Sequence, residues 1–399
     1  MLKLTLKNFK CFYDIEIELN DLTVFAGSNG NGKSTAIQSL LLLRRTVEHC
    51  SEWKSTKFAY TSINNLNVEL NDVYCLGLGS SLNVLPSEFT ETDIELGLSE
   101  KEQSLVVKYS TNNLNELWIT PKELLENSFQ YPNNPLMFQQ FYYLNAERIG
   151  PRINQAIRFY DYPNVGYQGE FTAQMIADVD SLEIESKFKL DVDRVLDDPD
   201  YLKGNKFQHH INAWLSYIID GVTMIPVKDS ETHTARLTVE NSYSKGNAIF
   251  PTNTGFGISY SIPIIVSCLL AEKGRILIVE NPEAHLHPSA QSKMGYFLGV
   301  MANAGVKILV ESHSDHIING IQIAVAKKAI INNKVTINYF YREKKTDQEL
   351  KEDKILGVKQ QPKIKAIQIN DKGELTEWPK GFFDQTQIDY VELLNLKKK

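Results

Sequence analysis

The sequence predicts an α/β fold, and two stretches predict it. Residues 27–35 read Gly-Ser-Asn-Gly-Asn-Gly-Lys-Ser-Thr, a G-x-x-x-x-G-K-S spacing set between a short apolar run (22–26) and a helix-like run (36–43). Strand, glycine loop, helix is the context in which such a loop binds phosphate. Towards the other end, residues 275–279, 289–303, 307–310, 316–331 and 335–341 alternate β-α-β-α-β. That alternation is the pattern of a parallel sheet.

The elements follow in order. Leu2, Leu4, Leu6 and Phe9, then Ile15, Ile17 and Leu19, alternate with polar residues and predict two strands leading into the loop strand. The helix after the loop runs to about Glu48. Residues 92–97, 104–109, 116–120 and 140–144 read as further strands. From 155 to 221 the pattern is irregular with helix-like patches, including 210–219, which predicts an inserted helical lobe. Strands return at 224–227 and 235–239, and 256–272 is apolar enough for a buried helix. The charged stretch 341–354 reads as a solvated hairpin or loop. A strand at 364–369 and a terminal helix from about Thr386 close the chain. Neither internal repeats nor sustained heptads occur.

The glycine loop carries the chemistry. Its glycines let successive N–H groups turn inward on a triphosphate, so Gly27, Asn29, Gly30, Asn31, Gly32, Lys33, Ser34 and Thr35 form the candidate cradle. Lys33 reaches the β- and γ-phosphates, and the Ser34 hydroxyl ligates Mg²⁺. Such a loop needs an acid at the end of a neighbouring strand to hold Mg²⁺ through water. Four apolar residues followed by Glu280 supply it, continuing Asn281-Pro282-Glu283-Ala284-His285-Leu286-His287-Pro288. A further strand (307–310) ends in Glu311-Ser312-His313-Ser314-Asp315-His316. A histidine just past a buried strand is placed to sense a γ-phosphate.

These three elements, in this order, resemble the ABC-type ATPase superfamily, and most the branch holding RecF, the SMC heads and the OLD-type ATPases. The resemblance implies a P-loop NTPase with an ABC-type ATPase head: a mixed or parallel sheet, an inserted helical lobe and a small C-terminal extension. It assigns Lys33 and Ser34 to phosphate and Mg²⁺, Glu280 to the second motif and His313 to the switch. It also assigns Thr254, Gly255 and Gly257, in Asn253-Thr254-Gly255-Phe256-Gly257-Ile258-Ser259, to a signature loop that caps ATP held by another subunit. The expected divisions are 1–150 (N-terminal head with a β-rich lobe), 151–250 (inserted helical and signature lobe), 251–345 (C-terminal head) and 346–399 (small C-terminal domain). More narrowly, residues 280–288, 312–316 and the tail Gly373-Glu374-Leu375-Thr376-Glu377-Trp378-Pro379-Lys380-Gly381-Phe382-Phe383-Asp384 are similar to a bacterial AAA-family ATPase group with a C-terminal domain of unknown function. Members of the wider group commonly serve anti-phage defence modules beside a nuclease or another toxic effector. The resemblance therefore implies an ATP-binding sensor or regulatory subunit that forms a homodimer or higher assembly through ATP, with DNA reached indirectly through an effector.

One departure bears on mechanism. The glutamate that usually follows the Mg²⁺ acid is Asn281 here, and an amide cannot take a proton from water. Losing a general base costs about 10²–10⁴ in rate. Either Glu283 polarises the water from one turn further on, or ATP is held far longer than it is hydrolysed. Two rival functions stay open beside the defence reading: a DNA-repair or chromosome-maintenance ATPase of RecF or SMC type, and a nucleotide-gated scaffold. An OLD-type nuclease would need an Asp-x-Asp pair in a C-terminal domain, and no such pair follows residue 354. A zinc cluster of Glu283, His285, His287, His313 and His316 competes with the ATPase reading of the same residues. Gln38, Gln139 and Gln140 are candidates for a glutamine linking Mg²⁺ to the helical lobe. Arg148 is either a coupling residue or an ion-pair partner of Glu147.

Composition sets the outer bounds. The 399 residues are 42% hydrophobic and 23% charged, which suits a soluble globular chain with a sizeable core. A formal charge of −7 argues against a polycationic nucleic-acid binder. Cys11, Cys50, Cys75 and Cys268 show no C-x-x-C pairing and read as free thiols of a reducing cytosol. Residues 1–6 alternate like a strand, not like a signal peptide, and the apolar run 262–271 is too short for a bilayer. The expectation is a cytoplasmic protein with no membrane partner.

Overall fold

The computed structural model describes residues 1–50, 66–101, 103–111, 113–127, 140–179, 192–196, 198, 200, 206–242, 247–343 and 345–396. Its first strands, β1 (Leu2–Phe9) and β2 (Phe12–Leu19), form an antiparallel hairpin. They lead into β3 (Leu22–Gly27), the glycine loop and α1 (Lys33–Cys50). Next come β4 (Val68–Glu69), β5 (Asp93–Glu100), β6 (Gln103–Ser110) and β7 (Trp118–Asn127), which with β1 and β2 make a sheet in the order β2-β1-β5-β6-β7-β4. After β8 (Tyr142–Leu144) and β9 (Gln155–Ala156), the chain runs through α2 (Thr172–Val179), α3 (Phe207–Ile218), β10 (Thr223–Asp229) and β11 (Thr234–Glu240). Strands β10, β11 and β9 form a small antiparallel sheet. Thus the described residues of 151–250 combine helices with a three-stranded sheet, in which β10 and β11 hold the two expected strands.

The last part supplies α4 (Phe256–Leu270), β12 (Ile276–Glu280), α5 (Pro288–Asn303), β13 (Lys307–Glu311), α6 (Asp315–Ala326) and β14 (Val335–Tyr341). It ends with α7 (Asp347–Ile355), β15 (Lys363–Ile367) and α8 (Gln385–Leu396). The central sheet runs β15-β14-β3-β13-β12-β8, parallel throughout except for the β14–β15 pair. It is therefore mixed and assembled from both ends of the chain.

Period-two alternation on these strands sorts side chains between two cores. Leu22, Val24, Leu277 and Val279 join α2, α3, α4, α5 and α6 in one. Phe25, Ile276, Ile278, Leu309 and Phe340 face α1 and the antiparallel sheet in the other. Helix α1 lies between two sheets, which is why Leu40, Leu41, Leu42 and Leu43 are all buried.

Two expectations are corrected. The helix expected over 316–331 ends at Ala326. Of the charged segment 341–354, expected as a hairpin or loop, the part from Asp347 onward forms α7. Thr346 and Glu349 close a capping box there: the Glu349 N–H donates to the Thr346 hydroxyl (3.3 Å) and the Thr346 N–H to Glu349 Oε2 (2.6 Å). That T-x-x-E signature outweighs the polarity of the segment.

Candidate nucleotide site

The glycine loop takes the conformation its sequence requires. Gly27 has φ +131°, and a Cβ there would lie 2.2 Å from the Phe340 carbonyl oxygen; Gly32 has φ +92°, with the Phe12 ring 2.5 Å from where a Cβ would be. Only glycine meets both demands. The Asn31 side chain turns inward: its amide donates to Ser28 Oγ (2.7 Å) and the Phe340 carbonyl (3.3 Å), tying the loop to β14.

A cleft of about 620 Å³ opens over the loop. Asn29, Gly30, Gly32, Lys33, Ser34 and Thr35 line its floor, and Ala146, Glu280, Asn281, Glu311 and His313 its wall. Lys33 Nζ donates to the carbonyls of Gly27 (2.8 Å) and Ser28 (3.1 Å) and lies 3.9 Å from Glu311 Oε1. Burial pulls the Lys33 pKa down, opposed by Glu311 and Glu283. A second cavity of about 490 Å³ shares Lys10, Cys11 and Ser87 with the first and adds Tyr13, Arg342 and Lys359.

Glu280 and Glu311 end neighbouring parallel strands and are register partners. The Tyr143 hydroxyl donates to Glu280 Oε1 (2.9 Å) and accepts from the Asn145 amide (2.9 Å). The Ser34 hydroxyl lies 3.2 Å from both oxygens of Glu311. Burial raises the pKa of each carboxyl; the nearby Glu280 charge helps take Glu311 to about 7, against Lys33 and Ser34. Sequence reasoning did not assign Glu311. The available signal was an acid closing a second apolar strand, as Glu280 closes the first.

His313 lines the cleft with Nε2 3.9 Å from Glu311 Oε1, and burial and Lys33 lower its pKa. Glu283 does not line the cleft. Its Oε2 accepts from Ser312 Oγ (2.9 Å) and its Oε1 from the His313 N–H (2.7 Å), so both oxygens hold the segment that follows β13. Asn281 sits at φ +46°, a conformation asparagine tolerates well. Its N–H donates to the Glu311 carbonyl (2.8 Å).

Arg148 is buried and pairs with backbone, not with Glu147. Its guanidinium donates to the carbonyls of Glu280 (2.6 Å), Asn281 (2.6 Å) and Asn145 (3.1 Å) and lies 5.1 Å from the centre of the Tyr260 ring on α4. Thr254, Gly255 and Gly257 lie at the start of α4, outside this cleft. Gly255 is exposed, and Gly257 packs on the His285 carbonyl. His285 packs against Phe256 and Tyr260, and the His287 ring caps α5. Among the described residues no three His, Cys, Asp or Glu side chains gather as a metal site by themselves. Neither Gln38, which accepts from Lys10 Nζ (2.7 Å), nor Gln140 lines the cleft; Gln139 lies outside the described residues.

Hydroxyl and carboxylate oxygens are the donors Mg²⁺ prefers, so the residues present fit Mg²⁺ carried in with a nucleotide. A mixed α/β sheet that brings a glycine loop, a strand-end acid and a histidine to one cleft has the arrangement of a P-loop AAA-domain ATPase. The chain belongs to the AAA-domain family described as putative AbiEii toxin, type IV TA system, whose model matches residues 80–319. A second AAA-domain model matches residues 3–73, and a model of a protein of unknown function matches residues 330–393. No curated protein matches the chain. Among solved structures it is similar to an SMC head bound to the C-terminal winged-helix domain of ScpA (10% identity, 92% of this chain and 97% of that one, TM-score 0.49). It is also similar to the SMC head domain from Thermotoga maritima (11% identity, 86% and 94%, TM-score 0.38). A third is an SMC head with an extended coiled coil, bound to the C-terminal domain of ScpA, from Pyrococcus furiosus (10% identity, 100% of both chains, TM-score 0.46). Among the described residues no helix is long and apolar enough to cross a membrane.

Proposed function

We propose that the chain binds Mg-ATP in the 620 Å³ cleft, closes on a second copy of itself, and hydrolyses the nucleotide slowly, as the regulatory subunit of an anti-phage complex with a separate effector. One observation carries the reading: Lys33 and Ser34 from one end of the chain and Glu280 and His313 from the other line a single cleft. The start of α4 lies outside it, with Gly255 exposed. A helix N-terminus with free N–H groups suits the γ-phosphate of a neighbouring copy.

In this reading Lys33 leaves the carbonyls of Gly27 and Ser28 for the β- and γ-phosphates, and Ser34 directly and Glu280 through water would hold Mg²⁺. When bound, the ion neutralises charge on the phosphates. His313 meets the γ-phosphate and reports its loss through the segment that Glu283 holds. Slow turnover is favoured over a base at Glu283 because both Glu283 oxygens already accept hydrogen bonds. An amide at 281 leaves the attacking water without a base.

Light scattering with and without a non-hydrolysable ATP analogue tests the reading. The wild type should double in mass with analogue. Lys33→Ala should lose binding, whereas Gly255→Glu should bind analogue and stay monomeric. A wild type that binds no analogue overturns the proposal. Phage challenge of cells carrying the chain with its neighbouring gene, and with Lys33→Ala in its place, tests the defence role.

A further inference from the structure

The sequence singles out Glu280 as the acid of the metal site, yet the geometry points to a different oxygen as the nearest partner of Ser34. We propose that Glu311 is a direct ligand of the nucleotide's divalent cation beside Ser34, leaving Glu280 to hold the ion's water. The inference rests on the nucleotide reading above.

Three observations carry it. First, adjacent ligand oxygens of an octahedral Mg²⁺ lie about 3.0 Å apart, given Mg–O distances of about 2.1 Å. Both Glu311 oxygens stand 3.2 Å from Ser34 Oγ, so a small shift makes serine and carboxylate neighbours on one ion. Second, Glu280 is already engaged: its Oε1 accepts from Tyr143, whose hydroxyl is itself fixed by Asn145. Third, Glu311 is only 5% exposed, and the cationic group paired with it at the loop is Lys33, at 3.9 Å. Once Lys33 turns to the phosphates, a buried carboxylate beside a triphosphate needs a cation to remain there. The ion supplies that charge, while the Ser34 hydroxyl turns its proton away and offers a lone pair.

The test is the metal dependence of nucleotide binding, read by calorimetry with a non-hydrolysable ATP analogue in EDTA and in Mn²⁺ or Mg²⁺. In the wild type the cation should tighten binding by about tenfold or more. In Glu311→Gln the cation should tighten binding by less than about twofold, with affinity in EDTA undiminished, because a carboxylate facing the phosphates has been removed. Glu311→Asp, which keeps the charge one methylene shorter, should recover part of the effect. A Glu311→Gln protein with the full wild-type cation effect overturns the assignment while leaving the nucleotide site intact. A wild type that binds no analogue defeats the underlying reading instead. Should Glu311→Gln fail to fold, wild-type crystals with Mn²⁺ and analogue decide. An anomalous peak bonded to Glu311 supports the proposal; one bonded to Ser34 and Glu280 alone overturns it.

Discussion

Replacing Arg148 with alanine should unfasten the second motif from α4, and the size of the effect follows from its contacts. The guanidinium donates to the carbonyls of Glu280 and Asn281, each at 2.6 Å, and to that of Asn145 at 3.1 Å. Hydrogen bonds made by a charged donor are worth about 1.5–3 kcal/mol each, and the Asn281 carbonyl keeps a second donor in the Ala284 N–H (3.1 Å). Counting the two short contacts gives a loss of about 4 kcal/mol. At about 2.1 cal/mol/K per residue, 399 residues unfold with about 0.8 kcal/mol/K of entropy, so the melting temperature should fall by about 5 °C. Analogue affinity should fall with it, because the Glu280 and Asn281 backbones carry the cleft wall. Arg148→Lys should recover less than half, since one ammonium cannot span both carbonyls as the planar fork does. Glu147→Gln should leave melting unchanged, because Glu147 is exposed and Arg148 turns to backbone instead. Differential scanning calorimetry checks all three. An Arg148→Ala protein that melts within 1 °C of the wild type would refute the reasoning, and a drop of 5 °C in Glu147→Gln would restore the ion-pair alternative.

Four other outcomes are expected. Gly32→Ala should abolish analogue binding in a fluorescence titration, because a Cβ at φ +92° meets the Phe12 ring at 2.5 Å. Asn281→Glu should raise steady-state phosphate release by about 10²-fold, the lower end of what a general base contributes; an unchanged rate would mean that the base is not what limits turnover. Glu283→Gln should leave the slow rate within about threefold, and fast turnover in the wild type that survives this change would exclude both readings of the missing glutamate. The folded state raises the Glu311 carboxyl from its ordinary 4.5 to about 7, so the folded protein binds the extra proton between these values. Stability without nucleotide, in EDTA, should therefore fall as pH rises from 5 to 8, by about 3 kcal/mol at 1.4 kcal/mol per pH unit. Thermal melts of Glu311→Gln should show a flatter pH profile over that window.

Much of the site was legible because its signals are local. Strands at 22–26 and 275–279 announced themselves by apolar runs, and the acid at 280 by its place at a strand end. The structure brings Lys33, Ser34, Glu280 and His313 to one cleft. The charged stretch before residue 354 was misread because polarity was weighed and the T-x-x-E cap was not.

The amino-acid order by itself determined the loop. Glycines at 27 and 32 permit positive φ, and the spacing to Lys33 and Ser34 fixes which side chains stand at its mouth. Only the tertiary structure decided that Glu311 faces Ser34, that Glu283 is spent on Ser312 and His313, and that Arg148 clasps the carbonyls after β12. Those relations depend on the register of β12 against β13 and on a turn that follows β8, pairings between distant segments. Local conformation follows from the dihedral limits of a few neighbouring residues. Cross-strand register is set by the burial of whole faces, a balance that no short window of sequence contains.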